Sequence, residues 1–155
     1  MKYLFAIIAA LAVWSARSMA EEPAHGPEAI EVRVSVGTQD GKFAYVPDQF
    51  TFERGMYYRL VLHNPSPEAH YFTSDSFATH IFTRKVEVMG ADGKLIAEVH
   101  GAVNDLQLEP GATASWFFYP MTKGEHLRLF CHREDHEAKG MTGSISIVGP
   151  PPFSK

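Results

Sequence analysis

The chain has 155 residues, of which 45% are hydrophobic and 21% charged, with a formal net charge of −4 at pH 7. That composition supports a packed domain and excludes a disordered polyelectrolyte, while the absence of a basic cluster argues against nucleic acid as a partner. The length suits one domain and is too short for two.

Lys2 precedes an apolar run from Tyr3 to Trp14, and Ser18, Met19 and Ala20 give the small-variable-small pattern of a signal-peptidase site. Residues 1–20 are therefore expected to be a cleavable signal that delivers the protein to a periplasm. The run is shorter than the ~20 apolar residues that span a bilayer, and no membrane span is expected after cleavage. Loss of Lys2 and Arg17 leaves 12 basic and 18 acidic residues, a mildly acidic net charge of −6. Residues 21–29 (EEPAHGPEA) are expected to form a flexible polar segment, with His25 a solvated side chain.

Strand patterns follow in succession. Val32, Val34 and Val36 alternate with Arg33 and Ser35, the period of a half-buried strand. Further strands are expected at 49–53, 57–63, 84–89, 94–99, 106–109, 113–119, 125–131 and 144–148. Gly55, Pro65, Pro67, Gly90, Gly93, Pro110, Gly111, Pro120, Gly124 and Gly143 punctuate the junctions. Only 75–82 and 133–139 have room for a helical turn or two. So many short strands in one domain predict an all-β, single-domain Greek-key β-sandwich over residues 30–149, with 150–155 as a tail.

The single cysteine carries the chemistry. An unpaired thiol in an oxidising compartment is at risk unless it is buried or bound to metal. Cys131 is followed by His136 and Met141, so a thiolate, an imidazole and a thioether lie within eleven residues. A trigonal copper site of two His and one Cys with a weak axial Met uses those donors plus one more histidine. The two-residue period puts Leu127, Leu129 and Cys131 on one strand face, and His126, Arg128 and Phe130 on the other. His70, in a loop after an apolar strand, is the first candidate for the missing donor. His80, among Phe77, Ile81 and Phe82, is the runner-up, since a histidine among aromatics is more often a packing residue. His63 and His100 are expected to be solvated.

Taken together, FTFERGMYYRLVLHN, His70-Tyr-Phe, LEPGATASWFFYP and GEHLRLFCHREDHEAKGM-TG resemble the type 1 copper cupredoxins, the plastocyanin and azurin class, over residues 30–148. The spacing from Cys131 to His136 and on to Met141 is similar to the longer ligand loops of rusticyanin and auracyanin. The resemblance implies one type 1 copper per chain, held by His70, Cys131 and His136 with Met141 axial. It also implies a non-enzymatic electron carrier, expected as a monomer, that exchanges electrons with a redox partner through an exposed edge of His136.

Several residues depart from the family pattern. Glu134 and Asp135 stand where many relatives have Pro-Gly, so two carboxylates are expected at the rim, favouring Cu(II) or changing how His136 leaves the metal. Tyr71 follows the first histidine, where plastocyanin and azurin carry an Asn that stabilises the cysteine loop; Asn64 is the candidate substitute. CHREDHEAKGM is also similar to the multicopper oxidase signature, yet Phe130 replaces its first histidine and the His-x-His pairs are absent. His132 is therefore expected to be an exposed strand-end residue, with a second copper site or a partner contact as the sharper alternatives. The acidic rim and extra histidines leave open a copper-tolerance or copper-delivery protein working with copper-handling partners.

Overall fold

The structure is a computed structural model that describes residues 28–150. The expected signal at 1–20, the N-terminal segment as far as residue 27 with His25, and the tail from 151 lie outside the described residues.

The valine alternation forms β1 (Ile30–Val36), with Val34 and Val36 buried and Arg33 exposed. It pairs in parallel with β4 (Tyr58–His63), from Ile30 opposite Tyr58 to Ser35 opposite His63. The sheet continues through β9 (Thr113–Pro120) and β6 (Ile81–Met89) to β7 (Leu95–Val99) at one edge, and β2 (Tyr45–Val46) closes the other. A second sheet of five strands runs in the order β3 (Gln49–Glu53), β11 (Thr142–Val148), β10 (Gly124–Phe130), β5 (His70–Thr73) and β8 (Asp105–Leu108). β1 and β4 are parallel neighbours although β3 intervenes in sequence and lies in the other sheet. The chain thus crosses between sheets, as a Greek-key sandwich requires.

Aromatic side chains fill the space between the sheets. The Phe52 ring lies 4.9 Å from Tyr58, 5.2 Å from Phe118 and 5.7 Å from Phe77, centroid to centroid. Trp116 stands beside Phe77 and Phe72 and donates its indole N–H to Thr83 Oγ1 at 3.0 Å. The large rings give a stiff filling, because two χ angles fix a large buried surface.

Three elements differ from the sequence reading. β2 and β5 were not expected, because a two-residue and a four-residue strand are too short to display a period. The segment 133–139 forms successive turns rather than a helix, since its backbone bonds close around the loop. The segment near 75–82 does hold a short helix, α1 (Asp75–His80), which buries Phe77 under the second sheet, and β6 begins directly after it.

Phe52→Ala empties the centre of the aromatic cluster. A loss of about 3–5 kcal/mol in unfolding free energy is expected from urea denaturation. A loss below about 1 kcal/mol would mean that the cluster does not hold the sheets together.

Candidate metal centre

Two loops meet at one end of the sandwich. The first runs from β4 to β5 and is organised by one buried amide. Asn64 Nδ2 donates to the carbonyls of Glu68 and Leu108, both at 2.8 Å, while its Oδ1 accepts the Ser66 N–H at 2.9 Å. Such a side-chain-to-backbone turn suits a segment whose prolines remove donors. The loop delivers His70 to the first position of β5, where its Nε2 lies 2.9 Å from Ser66 Oγ.

The second loop joins β10 to β11 and closes on itself. The Cys131 N–H donates to the Met141 carbonyl at 3.1 Å, and the Met141 N–H to the His136 carbonyl at 3.0 Å. The His136 N–H donates to the Arg133 carbonyl at 3.0 Å. Three residues spread over eleven positions are thereby drawn into one ring of backbone bonds. The period of β10 turns Cys131 inward beyond Leu129, and Arg128 outward.

The loops converge on a cluster. His70 Nδ1 is 3.2 Å from His136 Nδ1, and Cys131 Sγ is 3.4 Å from the same nitrogen. One ligand atom from each of the three lies within 4.8 Å of the other two, the one such group of His, Cys, Asp or Glu among the described residues. His70 is 1% exposed, His136 2%, and Cys131 and Met141 fully buried. The Tyr71 N–H donates to Cys131 Sγ at 3.3 Å and so ties the two loops together. Burial, and then the neighbouring His136, push the His70 pKa below its ordinary 6.5, and Arg133 acts in the same direction while Glu68 partly opposes them. The neutral imidazole that a metal requires is thus favoured.

Two imidazoles, one thiol with no disulfide partner and a buried thioether on the same loop form a donor set that suits one type 1 copper.

His80 lies apart from the cluster, on α1, with its Nδ1 2.5 Å from the Ser76 carbonyl. Asn64 does not reach the cysteine loop; it folds its own loop instead. The ties between the loops come from the Tyr71 N–H and from Arg133, whose Nη1 donates to the Ala69 carbonyl at 3.4 Å. The Tyr71 hydroxyl turns outward to Gln107. At the rim, Glu134 lies 3.8 Å from Arg133 and Asp135 2.9 Å from Lys139, so both are paired and neither contacts the His136 ring. His132 is half-exposed, bonded to Asp105 at 2.9 Å, with its ring 4.1 Å from Tyr71. His63 is exposed and bonded to Thr113, and His100 and His126 are exposed.

The expected exposed edge of His136 is absent, because its surroundings cover it. The Phe43 ring lies 4.5 Å from that of His136 and 6.0 Å from that of His70, with the Lys139 ammonium 4.7 Å from the Phe43 centroid. Glu68 Oε2 stands 3.7 Å from His136 Nε2. Phe43, Glu68 and Gly37 are residues that the sequence reading did not assign. Gly37 backs His70 at a φ of +85°, and the sequence sign that could have found it is a glycine placed directly after the valine strand.

Two outcomes are expected. Gly37→Ala places a Cβ 2.6 Å from His70 Nε2 and Cδ2 on a left-handed backbone, and should cost about 1–3 kcal/mol in the metal-free protein by denaturant unfolding. In the metal-free protein, the unfolded chain binds a proton at His70 more readily than the folded chain does. The melting temperature should therefore fall as pH drops through about 6.5, and His70→Gln should flatten that slope; an unchanged slope would assign it to other groups.

No protein-family model matches the sequence, and no characterised protein matches it at the sequence level. Solved structures do match. The multicopper oxidase McoA from Aquifex aeolicus aligns with a TM-score of 0.59 and 17% identity, over 83% of this chain and 31% of the oxidase. The copper-containing nitrite reductase from Thermus scotoductus gives 0.54 and 15%, over 84% of this chain and 33% of the reductase. Auracyanin from Roseiflexus castenholzii aligns over its whole length and 79% of this chain, at 0.49 and 16%. The chain spans about a third of the oxidase and reductase chains that it matches. With its two crossed sheets and its cluster at one pole, the chain has the cupredoxin fold and a donor set suited to one type 1 copper.

Proposed function

We propose that the chain is an exported, monomeric copper protein whose pole site holds one type 1 copper and carries single electrons between partner proteins, without catalysing a reaction of its own. His70, Cys131 and His136 serve as equatorial ligands and Met141 as the axial one. The observation that carries this reading is the convergence of two buried imidazoles on one buried thiol. Copper bound there supplies a one-electron couple. The protein contributes a cavity that is already formed: Ser66 holds one ring, and the turns of 131–141 hold the other. A donor set that does not rearrange between oxidation states keeps the reorganisation cost low.

The competing reading, copper tolerance or delivery, drew on the carboxylates and extra histidines near the rim. Glu134, Asp135 and His132 have protein partners of their own, which weakens that support. The export signal remains part of the proposal. No helix among the described residues is long and apolar enough to cross a membrane.

Added Cu(II) should produce a strong visible thiolate-to-copper band, lost in Cys131→Ala and His70→Ala and retained in His80→Ala. A colourless wild type would sink the copper reading, and a band kept by His70→Ala but lost in His80→Ala would overturn the ligand assignment. Voltammetry should then give a reversible couple with fast electron self-exchange. A sluggish couple would favour copper handling.

A further inference from the structure

The two histidines of the cluster are held alike. Each turns Nδ1 inward, and each has its Nε2 met by a residue of the 64–70 loop: Ser66 for His70 at 2.9 Å, and Glu68 for His136 at 3.7 Å. The backbone of Glu68 is fixed on both sides, its N–H donating to Ser66 Oγ at 3.2 Å and its carbonyl accepting from Asn64 Nδ2 at 2.8 Å. The loop therefore fixes the Glu68 backbone beside His136, and its side chain, 55% exposed, reaches the ring from the solvent side.

Charge pairing singles out Glu68 among the acids around the site. Glu137 has Arg128, Glu134 has Arg133 and Asp135 has Lys139. Among the described residues Glu68 has no Lys or Arg partner within ion-pair range, and the side chain its carboxylate faces is the His136 ring. Its negative charge is left facing a histidine that is almost entirely shielded from water.

We propose that Glu68 is a positioning residue for His136: its carboxylate stabilises the proton on Nε2, leaves the Nδ1 lone pair facing Cys131, and favours Cu(II) over Cu(I) at the site. The role rests on the proposed type 1 site. Its physical basis is that a neutral imidazole has one proton for two nitrogens, so an anion beside one nitrogen selects the tautomer and makes the other a better donor. At 3.7 Å the contact is an ion-pair distance rather than a hydrogen bond. Charge, more than hydrogen-bond geometry, is what Glu68 supplies, so Glu68→Gln should behave much like Glu68→Ala.

The test uses the metal-free and the copper-loaded full chain. In the metal-free protein, imidazole ¹⁵N shifts should report His136 protonated mainly on Nε2, and in E68Q and E68A a redistribution toward Nδ1. With copper, both variants should keep the visible band while the ratio of Cu(II) to Cu(I) affinity falls about tenfold, a rise of about 59 mV in a one-electron potential. Glu125→Gln, an exposed charge at the opposite end of β10, is the control and should change neither. Wild-type tautomer and potential in E68Q, or a shift no larger than that of E125Q, would overturn the role. A wild type that forms no band at all would instead defeat the copper reading, and the metal-free tautomer measurement would still decide what Glu68 does to His136.

Discussion

The N–H of Tyr71 donating to the sulfur of Cys131 is the bond on which the pole of this molecule depends. It joins two segments sixty residues apart in the chain, and it does so at the atom that carries the chemistry. β5 and β10 share a single paired position, Thr73 opposite Phe130, and the Ser74 hydroxyl donating to the Arg128 carbonyl at 2.6 Å adds a second link between them. A backbone donor aimed at a buried sulfur also gives that N–H a partner in an interior without water. The same bond therefore ties the loops together and occupies a polar group that would otherwise be orphaned.

Below that bond, the structure is arranged so that neither loop can drift. Asn64 ties its own loop together through Ser66 and Glu68 and anchors it to β8 through the Leu108 carbonyl, and the backbone bonds through Cys131, His136 and Met141 close the other loop. Beneath both, the rings of Phe52, Tyr58, Phe77, Trp116 and Phe118 make a core that does not repack around small displacements. In the proposed role such stiffness keeps the cost of electron exchange low, because a fixed geometry costs less than a soft pocket that moves with each electron.

The surroundings of His136 give the pole its individual character. Phe43, Lys139 and Glu68 stand where the resemblance implied an open ring edge. An aromatic ring and two side chains of opposite charge cover the His136 ring at this end. The half-exposed His132, one residue from Cys131 and packed on Tyr71, is by contrast within reach of solvent.

Much of this was readable from the sequence, because it depends on local spacing. The two-residue alternation of Val32, Val34 and Val36 dictated a half-buried strand, and the spacing of Cys131, His136 and Met141 dictated three donors on one loop, since each reflects how far a few residues of chain can reach. Their order, with an upstream histidine after an apolar strand, was enough to name the metal class. The choice between His70 and His80 was not local: it depended on which of the two the second sheet carries to the cysteine, and β5 is too short to announce itself. The partners of the carboxylates were not local either. Glu134 and Asp135 adjoin His136 in sequence but turn to Arg133 and Lys139, while Glu68, sixty-eight residues earlier than His136, is set against the ring by a fold in its own loop. Sequence spacing determined which donors the chain possesses. Which nitrogen, which carboxylate and which aromatic ring surround them was decided by the tertiary structure, because those contacts exist only once two distant loops are pressed together over a rigid core.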